Sequence, residues 1–386
     1  MIYKLKDICI KVTDGSHFSP KAQEEGYPMF SVKDMLEYGF NYTSCKRISK
    51  QDFEKMQSSG CVPQEGDVLV AKDGSYLKEI FVCTETKNEA ILSSIAIFRP
   101  NQEIVNPYYL CYLLKSPQIY NYIASNCVSG SALPRIVLKD FKEVEMEVPD
   151  MSTQTKIVNI LKNIDYKIQN NYKINRNLQE QVQAFFSRLY CNATDQSKYK
   201  SLIKVLGGGT PKTGVESYWN GTIPFFTPKD VGSPYTFETE KNITEDGLAH
   251  CNSKLYPANT TFVTARGTVG KVALAGVPMA MNQSCYALIS DILPPLMIYF
   301  YTLEVVKALK HKANGAVFDA IVTKDFDTEI INVLEQEDQI AFLDFAEPAY
   351  KQIYENIVEN QRLQTLRNSL LPKLMTGQLD ISEIEI

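Results

Sequence analysis

The stretch IVLKDF, residues 136–141, decides how the chain is organised, because it returns as IVTKDF at residues 321–326. The two copies begin 185 residues apart in a chain of 386 residues. Without a gap, residues 130–189 align with residues 315–374 at 14 identical positions out of 60, where random pairing gives roughly 6% identity. We therefore interpret the chain as a duplication of one unit.

The duplication continues upstream of this stretch, with offsets that drift as loop insertions would make them drift. Three further blocks occur in the same order in both copies. They pair FSPK (18–21) with GTPK (209–212), PMFSVKD (28–34) with PFFTPKD (224–230), and LVAKDGSYLK (69–78) with FVTARGTVGK (262–271). Each copy is therefore expected to be a globular part followed by a helix.

A long helix is predicted after the first copy of the phrase, because residues 152–190 contain neither Gly nor Pro. At a rise of 1.5 Å per residue it would be about 57 Å long. Its seam follows the 4-3 spacing of a coiled coil. The seam positions are Ile157, Leu161, Ile164, Ile168, Asn171, Asn175, Leu178, Val182, Phe185 and Leu189.

The second copy predicts a less regular helix. Arg367 interrupts its seam, and we expect Pro348 either in the first turn or at a bend. The equivalent positions are Phe342, Ala346, Ala349, Ile353, Asn356, Asn360, Leu363, Arg367, Leu370 and Leu374.

The opposite net charges of the two helices and the asparagines in their seams suggest that the helices pair with each other. Residues 152–190 carry six Lys/Arg against two Asp/Glu, and residues 335–374 carry four against seven. An antiparallel pairing brings Asn171 near Asn360, and Asn175 near Asn356. Buried asparagines cost stability but fix register. The residues expected at the centre of this pairing are Ile164, Ile168, Asn171, Asn175, Leu178, Ile353, Asn356, Asn360 and Leu363. The alternative is that each helix packs only on its own globular domain.

The fold class predicted from these patterns is α+β, with two globular domains related by a pseudo-two-fold axis and two long helices pairing as an antiparallel coiled coil. Short β-rich runs such as GDVLVA and SCYALIS precede helical stretches in each copy. The expected segments are residues 1–150, 151–192, 193–334 and 335–386, in the order domain, helix, domain, helix and tail.

Composition excludes several broad classes. A formal net charge of −5 argues against a generally basic surface for nucleic acid, although a local basic groove remains open. Nine scattered cysteines without a CxxC pair suggest reduced thiols in a cytoplasm. We expect neither a signal peptide nor a membrane span, since the most apolar stretch is too short to cross a bilayer.

The repeated blocks resemble the target-recognition domains of Type I restriction–modification specificity subunits. The resemblance rests on DGSHFSPK (14–21), GGGTPKT (207–213), SGSALPRIVLKDF (129–141), NGAVFDAIVTKDF (314–326) and the tail LRNSLLPKLMTGQLDIS (366–382). It implies a subunit without a catalytic centre or cofactor, whose two recognition domains each read half of a bipartite DNA target. It also implies that the helices space the domains and dock two adenine methyltransferase subunits, which restriction subunits join for cleavage.

Candidate DNA contacts are polar or basic residues in the paired blocks, since base edges are read by bidentate or single hydrogen bonds. Asn282 and Gln283 fit adenine, and Arg266 fits guanine. For each of them the alternative is a solvated loop residue. The full set is Lys21, Lys33, Lys72, Ser75, Lys78, Lys212, Lys229, Arg266, Thr268, Lys271, Asn282 and Gln283. We assign Asp140 and Asp325 to structure instead, where they either cap the turn or link the domain to its helix.

Motifs for catalysis are not found. RGTVGK (266–271) lacks the spacing of a phosphate-binding loop, and no amino-methyltransferase motif occurs. The histidines His17, His250 and His311 are far apart, so we expect no metal site and no catalytic triad. Two other classes stay open: a part of a fused restriction–methyltransferase enzyme, and a coiled-coil scaffold that does not read DNA.

Overall fold

A computed structural model describes residues 1–130, 134–312 and 320–381. The chain divides into two compact units: Met1–Asn170 together with Glu359–Ile386, and Asn171–Val358. Unit 1 and unit 2 therefore each combine one globular domain with part of both long helices. Gly315, which begins the second copy of the ungapped repeat, lies outside the described residues.

The domain of unit 1 is built from short strands and helices that precede the first long helix. In chain order they are β1 (Ile2–Lys4), α1 (Leu5–Ile8), β2 (Cys9–Asp14), β3 (Tyr27–Phe30), β4 (Met35–Leu36), β5 (Gly39–Phe40), β6 (Lys46–Ile48), α2 (Lys50–Ser58), β7 (Val68–Ala71), β8 (Ile80–Val82), β9 (Ala90–Ile91), β10 (Ile95–Pro100), α3 (Pro107–Lys115), α4 (Pro117–Asn126), β11 (Val128–Ser129), β12 (Arg135–Ile136), α5 (Leu138–Phe141) and β13 (Glu145–Glu147). The helix predicted for residues 151–192 is α6 (Met151–Asn192).

The domain of unit 2 repeats this order with few changes. Its elements are β14 (Asp195–Lys198), α7 (Tyr199–Leu202), β15 (Lys204–Gly207), β16 (Trp219–Phe226), β17 (Tyr235–Thr236), β18 (Asn242–Ile243), α8 (Glu245–Ala249), β19 (Thr261–Thr264), β20 (Val272–Ala275), β21 (Ala280–Met281), β22 (Cys285–Ile289), α9 (Pro295–Lys312) and β23 (Ile330–Val333). The second long helix is α10 (Gln336–Met375). Pro348 lies well inside it, so the expectation of a first-turn proline is wrong.

Two sheets organise unit 1. One is antiparallel in the order β2-β10-β7-β8, and the other has the order β6-β3-β9 with β3 and β9 parallel. All four residues of β7 are buried, as the apolar run VLVA predicts for a central strand. Helix α3 begins where the Asn106 side chain accepts hydrogen bonds from the first turn and Pro107 occupies the first helical position.

Unit 2 has the same two sheets, and the larger of them has one additional strand. The larger has the order β15-β22-β19-β20-β17, and the smaller the order β18-β16-β21 with β16 and β21 parallel. Helix α9 is buried over most of its length, including Met297, Phe300 and Val305. These domains agree with the α+β fold expected from the sequence.

The long helices run antiparallel to each other within each unit. In unit 1 the Asn360 side chain donates to the Ile168 carbonyl at 3.3 Å, and Lys167 pairs with Glu359 at 3.2 Å. In unit 2 the Asn356 amide donates to Asn175 Oδ1 at 2.7 Å. The predicted antiparallel pairing is confirmed by these contacts.

The helices also belong to the domain cores. Ile157 and Leu161 share a cluster with Leu371 and the domain of unit 1, while Phe186 and Phe342 share one with the domain of unit 2. The alternative that each helix packs only on its own globular domain is therefore wrong, since the helices pair and each of them also contributes to the cores of both units. Of the predicted pairing residues, Leu178 and Leu363 are half-buried and the others are buried.

Each KDF motif lies shortly before a long helix and is separated from it by one short strand, β13 in unit 1 and β23 in unit 2. Phe141 and Phe326 are fully buried. The Val322 amide donates to Asp325 Oδ2 at 2.7 Å, so this aspartate caps the turn that precedes it. The structural role expected for Asp325 is thereby confirmed.

Candidate nucleic-acid interface

Four turns meet at one edge of unit 1. The strands β3 and β9 are parallel, so the turns after Phe30 and Ile91 begin at the same edge. Ser94 joins neighbouring turns, because its hydroxyl accepts from the Val32 amide at 3.0 Å and its carbonyl accepts from the Lys72 amide at 2.9 Å. The Ser93 amide donates to the Ser16 carbonyl at 2.9 Å. We call residues 14–18, 31–34, 72–78 and 92–94 the unit 1 loop edge.

An ion pair holds two of these turns together. The Lys72 ammonium lies 2.6 Å from Asp14 Oδ2, and Lys72 is only 7% exposed. His17 Nε2 approaches the same carboxylate at 3.4 Å. Because its charge is already paired and buried, Lys72 fixes the turn of residues 14–18 in this structure rather than presenting a free ammonium.

Other predicted residues of the first copy face solvent. Lys33 and Ser75 lie on the unit 1 loop edge itself, and Lys21 lies beyond its first turn. Lys78 ends the 72–78 turn and lines a cavity with Lys115 and Tyr120. Solvent-facing ammonium groups in adjoining turns are the arrangement that phosphate contacts require.

The same edge is built again in unit 2. The Asn282 amide donates to the Phe226 carbonyl at 3.0 Å, which joins the turns after the parallel strands β21 and β16. The Ala265 amide donates to the Ser284 carbonyl at 2.7 Å, and Thr210 donates its hydroxyl to the Gln283 side chain. We call residues 208–212, 227–230, 265–271 and 282–284 the unit 2 loop edge.

Most of the predicted residues of the second copy are exposed on this edge. Asn282 is half-buried, and its Oδ1 accepts from the Ser284 amide at 3.0 Å, which leaves this oxygen one further lone pair for a contact with adenine. Lys229 pairs with Glu240 at 3.4 Å on the surface, where such a pair contributes little. The exposed members are Lys212, Lys229, Arg266, Thr268, Lys271 and Gln283.

Positive charge gathers at one end of the unit 2 loop edge. Lys310 donates to the Gly270 carbonyl at 2.6 Å. Burial lowers the pKa of Lys310, and the neighbouring Lys271 ammonium lowers it further. The repulsion between the two ammonium groups would be relieved by an anion such as a phosphate.

Two basic residues beside the loop edges are missed by reading the sequence. Arg135 is exposed and forms a β-bridge with Asp73, at the place where Arg266 forms one with Ala320 in unit 2. Asp73 is therefore the structural counterpart of Arg266, in agreement with the pairing of residues 69–78 with residues 262–271. Lys241 lies 5.6 Å over the ring of Trp219, whose Nε1 donates to the Lys212 carbonyl at 3.3 Å. Arg135 is missed because it lies in the repeated stretch 129–141, to which we assign a structural role. Lys241 is missed because it lies in none of the repeated blocks.

Two absences among the described residues bear on other functions. Across residues 1–130, 134–312 and 320–381, no group of three His, Cys, Asp or Glu residues is arranged to hold a metal ion. In the same part of the chain, no helix is both long and apolar enough to span a bilayer.

Comparison with known proteins finds one family throughout. The model of the Type I restriction modification DNA specificity domain matches residues 1–180 and again residues 194–363. The Type I restriction enzyme MjaIX specificity subunit of Methanocaldococcus jannaschii is 29% identical over 189 residues, 47% of this chain and 41% of that protein. The HindI specificity subunit of Haemophilus influenzae is 21% identical over 406 residues, 82% of this chain and 87% of that protein.

The fold has a counterpart among solved structures. The crystal structure of a Type-I restriction-modification system S subunit from M. genitalium has a TM-score of 0.60 and 14% sequence identity, and the match covers 97% of this chain and 95% of that one. This likeness concerns the fold.

Proposed function

Because the chain belongs to the family of Type I restriction modification DNA specificity domains, we propose that it selects the DNA sequence on which a Type I restriction–modification complex acts. Each unit reads one half of a bipartite target with its loop edge. The observation that carries this proposal is the repetition of one loop edge, on the same strand pattern, in two units of different surface composition. Two different half-sites need two such readers.

The contacts divide by chemistry. Lys21, Lys33, Lys212 and Lys229 contact phosphates and set the register, which carries no sequence information by itself. Arg266 and Gln283 read base edges in unit 2, since an exposed guanidinium or amide can make a bidentate contact in the major groove. Lys72 acts indirectly, by holding Asp14 and its turn in place.

Catalysis belongs to partners in this proposal. The chain is the non-catalytic member of the complex: it docks two adenine methyltransferase subunits, and restriction subunits join them for cleavage. A net charge of −5 gives the chain little long-range attraction for DNA, so tight binding comes with the partners. The target adenine is then flipped into a methyltransferase site. A protein in this role works in the cytoplasm.

The test maps adenine methylation in a host that lacks its own. The chain is expressed with and without the adenine methyltransferase subunit of its system, and methylated positions are sequenced across the chromosome. We expect one bipartite motif when both proteins are present and no methylation when either is missing. Methylation by the chain alone would establish a fused enzyme. Methylation whose sequence does not depend on the chain would establish a scaffold.

A further inference from the structure

A largely buried polar network joins four segments of unit 1. The Arg367 guanidinium, on α10, lies 2.7 Å from Asp165 Oδ1 on α6. The same guanidinium donates to Glu37 at 2.7 Å and to the Tyr38 hydroxyl at 2.8 Å, both in the turn between β4 and β5. Helix α3 adds Tyr112, whose hydroxyl donates to Asp165 Oδ2 at 2.6 Å.

The centre of the network is closed and largely shielded from water, whereas the Glu37 side chain at its rim is 36% exposed. Tyr38 also donates to Asp165 Oδ1 at 2.9 Å, which completes a triangle with Arg367. The side chains of Arg367 and Asp165 are 15% and 8% exposed. Burial, and then the Asp165 carboxylate, raise the pKa of Tyr38 and of Tyr112, so both hydroxyls stay protonated donors. Removing one charged partner from such a network leaves the others unpaired, which is strongly unfavourable.

The turn that Arg367 holds is connected directly to a candidate DNA contact. Glu37 and Tyr38 follow β4, which begins immediately after the short 3-10 helix Val32–Asp34 that carries Lys33. The Asn41 amide donates to the Asp34 carbonyl at 2.8 Å and closes the base of the hairpin. The Asp34 carboxylate accepts from the Ser31 amide at 2.8 Å. A displacement at residues 37–38 is therefore passed to the 31–34 turn.

Unit 2 fills the equivalent place with apolar and aromatic groups. The 185-residue offset aligns Arg367 with Val182, and Asp165 with Tyr350. Both Val182 and Tyr350 are buried, and the Tyr350 ring lies 6.3 Å from that of Tyr235. Of these two equivalent places, only the one in unit 1 carries the ionic network. The place in unit 2 therefore serves as an internal control.

We infer that Arg367 is a positioning residue for the half-site read by unit 1: from the C-terminal helix it fixes the β4–β5 hairpin, and with it the 31–34 turn, which the Val32–Ser94 hydrogen bond joins to the other turns of the unit 1 loop edge. This inference rests on the proposed function. Reading base edges requires side chains that are held within a fraction of an ångström. A small misplacement breaks the geometry of a bidentate hydrogen bond before it weakens the attraction to phosphates. Loosening the hairpin therefore lowers base discrimination at one half-site only.

The test compares Arg367→Met with Arg362→Met in complex with the methyltransferase subunits. Arg362 is exposed on the same helix, so the two variants lose the same charge. The probes are synthetic duplexes carrying the mapped target, with single base-pair substitutions in either half-site, competed against the intact target. Arg266→Ala relaxes base choice in the half-site of unit 2 and so assigns the other half-site to unit 1.

We expect Arg367→Met to lower discrimination at the half-site of unit 1 about tenfold and to leave the other half-site within about twofold of the original chain, since one mismatch normally weakens binding by about five- to 150-fold. Arg362→Met should change neither. If Arg367→Met behaves like Arg362→Met, the inference is wrong. If the original chain discriminates at neither half-site, the proposed function itself fails.

A milder variant separates positioning from loss of folding. Tyr38→Phe removes one hydroxyl from the triangle and leaves the Arg367–Asp165 ion pair in place. We expect faster amide hydrogen exchange at Asn41, unchanged exchange in the core strand β7, and a smaller loss of discrimination confined to the same half-site. Equal losses at both half-sites in Arg367→Met, with no change in Tyr38→Phe, would overturn the inference.

Discussion

Gly15 and Gly208, in the first turn of each loop edge, leave no room for a side chain. A Cβ atom on Gly15 would lie 2.3 Å from the Ile91 carbonyl oxygen. On Gly208 it would lie 2.1 Å from the Asn282 carbonyl oxygen. Real Cβ atoms do not approach oxygen so closely, so glycine is required here by contact between two backbones rather than by a positive φ. This contact brings the first turn of each loop edge against the last one.

We predict that Gly208→Ala displaces the 282–284 turn. The backbone must move to admit the methyl group, and over-packing of this kind costs about 1–3 kcal/mol of unfolding free energy. Base discrimination at the half-site of unit 2 should fall with it, while the other half-site is read normally. Thermal unfolding and competition binding measure the two effects. Gly214→Ala is the matched control, because nothing lies within 4 Å of its added Cβ; equal behaviour of the two variants would contradict the prediction.

Single residues also show where sequence reading stops. The paired blocks identify Lys33 and Lys72 equally well, since both are lysines in turns that are repeated in the second copy. Only the fold brings Asp14 to Lys72, across 58 positions of sequence, and so turns that lysine into a buried partner. Charge pairing between distant turns has no local signature, and the exposure of each candidate therefore had to come from the structure.

At the scale of elements, the helix pair follows its seam closely. The 4-3 spacing identifies the buried face of α6 and of α10, with Ile168, Asn175 and Ile353 among the buried positions. Arg367 reads as an irregularity in that pattern. The structure gives its reason: acceptors from α6 and from the β4–β5 turn converge on this position, and the sequence places one of them 330 residues away. The 4-3 spacing identifies which face of a helix is buried. It does not identify the polar partners that a residue such as Arg367 meets on that face.

We predict that the Asn175–Asn356 hydrogen bond fixes the register of the helix pair in unit 2. Asn175→Leu alone leaves the Asn356 amide without its 2.7 Å acceptor, which should cost about 1–3 kcal/mol of unfolding free energy. The double variant Asn175→Leu, Asn356→Leu replaces both polar groups by apolar ones and should recover most of that loss or exceed the original stability. Denaturant unfolding of the original chain, of each single variant and of the double variant gives the coupling energy between the two asparagines.

Register can be followed separately from stability. A helix pair without its buried asparagines should tolerate sliding, so hydrogen exchange along residues 336–358 should become less uniform in the double variant. Coupling near zero together with unchanged exchange would show that the asparagines are only tolerated in the seam.

At the scale of the whole molecule, the duplication is expressed as two units with the same internal plan. The order β2-β10-β7-β8 of unit 1 returns as β15-β22-β19-β20 in unit 2, each beside a sheet with one parallel pair. The repeat predicts this likeness from the sequence. The repeat alone does not predict that unit 1 recruits the C-terminal segment from Glu359 onward, because that follows from the antiparallel pairing of the two helices, which their charges and seam asparagines suggest instead. Each reader therefore has its own core, containing parts of both helices.

Because each loop edge rests on its own core, substitutions in the two units should act independently. Lys33→Ala should weaken binding to all sequences alike and reduce the salt dependence of log K by about 0.9, the contribution of one phosphate contact. Arg266→Ala should instead relax the choice of one base pair in the half-site of unit 2, at a cost of about 1–3 kcal/mol.

In the double variant the two losses of binding free energy should add to within about 0.5 kcal/mol, as they do for sites that share no partners. Titration of intact and substituted duplexes at several salt concentrations provides both quantities for each protein. A larger coupling, or a change at the half-site of unit 1 caused by Arg266→Ala, would mean that the duplex is read by one cooperative surface. Independent losses are what two complete readers require, since each then contributes its own half of the sequence and its own share of the phosphate contacts.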